Sequence, residues 1–290
     1  MRQLYNSPVT RATPRRLYGG YIFDLDGTIY LGDDLLPGAA RVVATLRRLE
    51  RRLLFLSNNP TSTPETYAAK LTRLGIPVVP REVLNTVTTM VRWLKAHHPR
   101  ATVFPIAEAP LIEALRAAGF RLSEDPAAID VVVASYDRGF DYRKLQIAFD
   151  ALWFHRRARL VATNPDRYCP LPGGRGQPDA GAIIAAIEAC TGVRCEAVTG
   201  KPDPFMLTSA LAALDVPAAD CLVTGDRLYT DIRMARAAGM PSALVLTGET
   251  TPETLAAAGP DERPDFVLDR LDALLPEDVR HAAPADPLPA

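Results

Sequence analysis

Short apolar runs alternate with amphipathic helical patterns along almost the whole chain, and no other feature limits its fold as strongly. Strands separated by a helix need a crossover connection, so they line up in parallel with helices covering the sheet faces. The apolar runs predict strands at 21–25, 53–57, 103–106, 130–134, 160–163, 197–199, 221–224, 243–246 and 265–268. Helical patterns fall at 39–49, 64–74, 83–96, 142–157, 180–190, 204–214 and 230–238, most of them closed by Pro or Gly. The chain is therefore read as α/β. Its strands are too many for one small sheet, and 290 residues, at roughly 100 to 200 per domain, point to two domains.

Composition narrows the function by exclusion. Apolar residues make up 48 % and charged residues 23 %, ordinary values for a globular chain and not for a disordered or fibrous one. Thirty-three Lys and Arg against 34 Asp and Glu leave a net charge of −1, which offers no global field to attract nucleic acid or an anionic membrane surface. An anionic ligand would need a local site. No stretch approaches the ~20 apolar residues of a membrane span, and MRQLYNSPVTRATPRR lacks the apolar segment of a secretion signal, so a cytoplasmic protein is expected. Cys169, Cys190, Cys195 and Cys221 show no C-x-x-C spacing, and His97, His98, His155 and His281 are not spaced with them for zinc, so the cysteines are read as reduced bystanders. The first sixteen residues and the last ten, rich in Pro and Ala, are expected to be loose.

Chemistry concentrates where strands end. FDLDGTIYLGDDLLPG puts Asp24 at a strand terminus, with Asp26, Gly27 and Thr28 following. Ligands of open α/β sheets bind at that end, and two acids there call for a cation or a proton between them. Taken alone, the pair could equally be an Asp-Gly turn capping backbone N–H groups. LLFLSNN leaves Ser57, Asn58 and Asn59 after another strand, either as donors for a phosphoryl oxygen or as a helix cap. VTGKPDP presents Lys201, one of only four lysines, whose ammonium suits a phosphate oxygen but could sit in an exposed turn. LVTGDRLYTD places Asp226 after a strand and Asp231 near a helix start, where an acid also complements the helix dipole.

In this order the four segments resemble the motifs of the haloacid dehalogenase-like phosphatase superfamily, in particular its 4-nitrophenylphosphatase or NagD-like branch. The branch features IYLGDDLLPGA, KLTRLGI, TNPD and GKPDP agree, and the likeness runs from about Tyr21 to Leu268. It implies a Rossmann-like parallel-sheet core from 17–82 and 182–280, an inserted α/β cap from 83–181, and flexible tails at 1–16 and 281–290. It also implies that Asp24 is a nucleophile forming an aspartyl-phosphate and that Asp26 is the acid and base. Mg²⁺ would be held by Asp24, the Asp26 carbonyl and Asp226, with Asp231 behind them. Lys201 and Ser57 would stabilise charge. Gly27, Thr28, Ser57, Asn58, Asn59 and Lys201 would cradle the phosphate, and cap residues Asn164 and Asp166, otherwise an ordinary turn, would contact the leaving group. Gly173, Gly174 and Gly176 meet neither P-loop nor Rossmann spacing and are read as a cap turn.

Charge counting supports a cation. The four acids exceed Lys201 by three negative charges, and a divalent ion with one proton on Asp26 cancels that excess. The resemblance implies hydrolysis of a small phosphomonoester: a nucleotide, a sugar phosphate, a glycerol phosphate or phosphoglycolate. A phosphomutase or phosphotransferase, or a regulatory protein that binds a phosphometabolite without turnover, stand as alternatives. Relatives of this branch often associate through their caps, so a homodimer is expected.

Overall fold

The computed structural model describes residues 12–171 and 175–282, without the side chains of 170 and 171. Residues 1–11 and 283–290 of the expected tails, and Gly173 and Gly174 of the expected turn, lie outside the described residues. The chain forms two compact units. One takes the described residues up to Leu56, Tyr67–Val83 and the described residues from Leu207 on, and the other takes Ser57–Thr66 and Leu84–Met206. The second unit thus includes 182–206, beyond the expected end of the cap at 181, and the short Ser57–Thr66 segment.

The first unit is built on a six-stranded sheet in the order Phe266–Leu268, Ser242–Val245, Cys221–Gly225, Gly20–Asp24, Arg52–Ser57, Val83–Asn85. The pairs from Arg52–Ser57 through Phe266–Leu268 are parallel. From Gly20–Asp24 the chain moves outward in one direction through Arg52–Ser57. It later starts again on the other side at Cys221–Gly225 and moves the opposite way. Strand order therefore reverses between Gly20–Asp24 and Cys221–Gly225, and the crevice at such a reversal is where open α/β sheets take ligands. These two strands are buried along almost their whole length, as expected when helices cover both faces. Alternation sends Tyr21 and Phe23 to one side, where Phe23 stacks on Phe55 at 5.9 Å between centroids and joins a core with Leu46 and Leu71. Each such ring removed from water contributes roughly 1.5–3 kcal/mol.

The second unit carries its own all-parallel sheet, ordered Ala197–Val198, Arg159–Ala162, Val131–Ala134, Thr102–Ile106, Arg121–Leu122. Apolar clusters line both faces, one around Met90, Leu94, Leu111 and Val133, the other around Phe104, Val132, Leu160 and Ile187.

All nine expected strands are present with ends shifted by a residue or so, but local chemistry changes several other elements. The helix expected from 83 begins at Thr86, because Asn85 caps it by accepting the Thr88 N–H at 3.2 Å, and Val83–Asn85 before it is a strand. The helix expected over 142–157 is α-helical at Tyr142–Phe149 and widens to a π-turn at Asp150–Phe154. Antiparallel hairpins at Tyr30–Leu31 with Asp34–Leu35 and at Tyr168–Leu171 with Arg175–Pro178, which includes Gly176, carry too few residues for a periodic signal. Residues 12–16, expected to be loose, are tied down: the Ala12 carbonyl accepts from Val267 N–H at 3.0 Å, and Arg16 pairs with Asp220 at 2.8 Å. At the other end, His281 and Ala282 complete the helix Glu277–Ala282.

Candidate active site

The register of the two central strands sets the site of the first unit. Phe23 pairs with Thr224, so the strands end level and Asp24 and Asp226 leave the sheet at the same edge. After Asp226 the chain enters a π-turn at Leu228–Ile232, which carries Asp231. Asp24, Asp226 and Asp231 each offer a carboxylate oxygen, and these oxygens lie within 4.8 Å of one another. A single hard divalent ion spans that spacing at ~2.1–2.5 Å per bond. Asp231, expected behind the ligands, thus stands within reach of a cation itself.

The donor set fits such an ion. Asp226 is 2 % exposed, and its Oδ1 is buried without a hydrogen-bond partner, while its Oδ2 accepts the Glu249 N–H at 2.7 Å. Burial foremost, then the charges of Asp24 and Asp231, push the Asp226 carboxyl well above its ordinary range, against the opposing pull of Arg227. A cation there would satisfy Oδ1 and remove the repulsion, and oxygen-only ligands suit magnesium or calcium more than softer metals.

The turn after Asp24 is compact. The Leu25 carbonyl accepts from the N–H groups of Thr28, Ile29 and Tyr30, and Gly27 takes φ 86°, a left-handed conformation open to glycine at little cost. The Asp26 carboxylate meets the Tyr30 hydroxyl at 3.3 Å. Burial, then the charge of Asp26, push the Tyr30 phenol far up, which keeps it a donor. The Lys70 ammonium lies 3.8 Å from the Tyr30 ring centroid. Thr28 is fully buried and its Oγ1 has no hydrogen-bond partner.

Ser57, Asn58, Asn59, Asn164, Asp166 and Lys201 belong to the second unit. Asn59 works there as a turn residue, its Oδ1 accepting from Thr61 N–H at 2.9 Å and from the Thr61 hydroxyl at 2.7 Å, while Ser57 Oγ accepts the Asn59 N–H at 3.2 Å. Asn58, Asn164, Asp166 and Lys201 are joined in one buried hydrogen-bonded network. Asn164 is fully buried, with its amide hydrogens directed to Asp166 at 3.1 Å and Asp179 at 3.0 Å.

Family models match over most of the chain. A haloacid dehalogenase-like hydrolase model covers residues 21–121 and a HAD-hydrolase-like model covers 198–274. The chain belongs to the haloacid dehalogenase-like hydrolases. Within this family it is 34 % identical to the sugar-phosphatase AraL of Bacillus subtilis, across 87 % of this chain and 90 % of that one. The structure of a 4-nitrophenylphosphatase from Thermotoga maritima matches with a TM-score of 0.82 and 35 % identity, covering 91 % of this chain and 97 % of that one. A glycerol phosphate phosphatase from Mycobacterium tuberculosis, solved with magnesium, matches with a TM-score of 0.80 and 30 % identity over 91 % of this chain and 78 % of the other. The chain thus falls in the NagD and 4-nitrophenylphosphatase-like branch of the hydrolases.

Sequence reading of this hydrolase missed the loop after Ser242–Val245. Glu249 supplies an N–H to Asp226, Thr250 bonds the Asp226 carbonyl at 2.6 Å, and Thr247 bonds the Gly27 carbonyl at 2.7 Å. A strand end followed by Thr-Gly-Glu-Thr was the available signal. Gly248 is essential to this packing, because a Cβ there would lie 2.0 Å from Asp226 Oδ2. Gly248→Ala is expected to weaken divalent-ion binding about 10- to 100-fold, the usual effect of disturbing the support of metal ligands. Titration calorimetry checks this, and an unchanged affinity would show that the loop does not hold Asp226 in place.

Proposed function

We propose that this hydrolase is a Mg²⁺-dependent phosphomonoesterase acting through a phosphorylated Asp24. The observation that carries the reading is the convergence of Asp24, Asp226 and Asp231 at the strand-order reversal, with a buried Asp226 oxygen left without a protein partner. Bound there, Mg²⁺ supplies positive charge that lets a phosphate dianion approach the acids and stabilises the charge of the transferring group. Asp24, Asp226 and the Asp26 carbonyl would hold it, and the geometry lets Asp231 contribute as well.

The chain's own groups do the rest. The Asp24 carboxylate attacks phosphorus, the phosphorus–ester oxygen bond breaks in line, and Asp26 gives its proton to the departing oxygen. Water then attacks the aspartyl-phosphate, Asp26 takes a proton from it, and Asp24 and inorganic phosphate are regenerated. Tyr30 keeps the Asp26 carboxylate turned for both transfers. The family resemblance assigns Lys201 and Ser57 to the phosphoryl oxygens, where fixed charge and dipoles would lower the barrier. Substrate selection is assigned to residues 83–181, the expected cap.

The relatives, a sugar-phosphatase, a glycerol phosphate phosphatase and a 4-nitrophenylphosphatase, support a small phosphorylated metabolite as substrate. The expected pairing of two copies through the second unit is part of this reading, and Tyr142, Trp153 and Phe154, 79 %, 47 % and 68 % exposed, offer apolar surface for it. Cys169, Cys190, Cys195 and Cys221 are thiols, in keeping with the reducing cytoplasm. Among the described residues no helix is long and apolar enough to cross a membrane.

The test is phosphate release from a panel of sugar phosphates, glycerol phosphate, nucleotides, phosphoglycolate and 4-nitrophenyl phosphate, with Mg²⁺ and with excess EDTA. Turnover that EDTA abolishes is expected. Silence across the panel overturns the phosphatase reading, and full activity in EDTA overturns the metal.

A further inference from the structure

Lys201 is 3 % exposed, and the Asn58 side chain holds its backbone on both sides. The Asn58 Oδ1 accepts the Lys201 N–H at 2.7 Å, and the Asn58 Nδ2 donates to the Lys201 carbonyl at 3.0 Å. The second hydrogen of that amide goes to Asp166 Oδ2 at 2.9 Å. Both Asn58 donors are thereby committed, and the amide orientation is dictated by chemistry: reversed, its oxygen would face a carboxylate and a carbonyl.

Asp166 is fixed in turn. Its Oδ2 also receives the Asn164 amide at 3.1 Å, and Asn164 is locked by Asp179 at 3.0 Å and by the Thr163 hydroxyl, which donates to Asn164 Oδ1 at 2.7 Å. Gly200 completes the arrangement. A Cβ on it would lie 2.7 Å from Asn58 Oδ1 and 2.6 Å from the Thr163 carbonyl, so a side chain would push the lysine backbone off its clasp. A buried polar network of this kind costs desolvation free energy that a packed apolar core avoids, and what it gains is a unique geometry.

We propose that Asn58 is a positioning residue for Lys201 and that Asp166, held by Asn164, keeps Asn58 in the orientation this requires. The inference rests on the phosphatase reading for its consequence and departs from the expectation that Asn58, Asn164 and Asp166 touch the substrate. A lysine ammonium sits at the end of a flexible four-carbon stem, so its placement is only as good as the anchoring of its backbone. A displacement of ~1 Å at a charge-stabilising group can cost ~100-fold in rate.

Two independent measurements test this. Protein carrying ¹³Cε-lysine has four lysine signals, from Lys70, Lys95, Lys144 and Lys201. Asn58→Ala is expected to shift or broaden the Lys201 signal, assigned with Lys201→Arg, and to leave the other three in place. In steady-state kinetics Asn58→Ala should lower kcat about 100-fold in the native background. In a Lys201→Ala background it should cost less than about 3-fold, because the two substitutions remove the same contribution. Asn58→Asp, which sets a carboxylate against both Asp166 and the Lys201 carbonyl, should be at least as damaging, and Asp166→Ala should move the same lysine signal.

Thermal melting separates misfolded variants from folded ones. A Lys201 signal unmoved by Asn58→Ala, or full additivity with Lys201→Ala, overturns the role of Asn58, and one unmoved by Asp166→Ala overturns that of Asp166. Should the native protein release no phosphate from any ester, the phosphatase reading fails, while the lysine spectrum still decides whether Asn58 holds Lys201.

Discussion

Asp24→Asn should lower kcat by about 10⁴-fold or more, the scale seen when an enzyme loses its nucleophile. Asparagine keeps the shape of the side chain at the end of Gly20–Asp24 and loses the attacking oxygen's charge. The cost should therefore appear in turnover and not in folding. Metal-free stability should hold or rise, because Asp24 is one of the two acids whose charge disfavours ionisation of Asp226. Phosphate release with 4-nitrophenyl phosphate, alongside a melting curve in EDTA, checks both halves. A variant retaining more than about a tenth of the native rate would remove the covalent role, since no positioning effect leaves a lost nucleophile that active.

Asp226 predicts the second large effect, on stability. Burial and two neighbouring acids raise its carboxyl in the folded chain above the 3.8 of an unperturbed aspartate. Without an ion, the folded state therefore keeps a proton that the unfolded state has released. Stability falls as pH rises from about 4 toward the raised value and stays low above it. A divalent ion binds the ionised form and reverses this trend. The difference in Tm between Mg²⁺ and EDTA should be small at pH 5 and widen by pH 8. With the ion at 100 times its Kd, the gain is about 2.7 kcal/mol, or several degrees for a chain of this size. Asp226→Asn should abolish the difference, melt in EDTA at pH 8 no lower than the native protein, and show no turnover. A gap independent of pH, or one surviving in Asp226→Asn, would place the ion elsewhere.

Much of this protein is legible in its residues. Period and punctuation place every expected strand, and two of the strand-end segments supply Asp24, Asp226 and Asp231, whose carboxylates converge. Where prediction departs from structure, the cause is local chemistry below the resolution of periodicity. Asn85 starts a helix three residues late, two short hairpins carry no period, and π-turns at Asp150–Phe154 and Leu228–Ile232 replace regular helix. At the sites, Asn59 takes the ordinary turn role that such a residue has by itself, and Asn164 proves fully buried.

Hydrophobic periodicity and motif spacing are properties of neighbouring residues, so the sequence by itself determined the α/β class, the order of strands along the chain and the acids that leave them. Only the tertiary structure decided that Phe23 pairs with Thr224, that Asp231 comes within 4.8 Å of Asp24, that Gly248 lies against Asp226, and that Asn58 clasps Lys201 from 143 residues away. Those contacts depend on strand register and loop packing between distant segments, and their free energy is gained only once the sheets have formed.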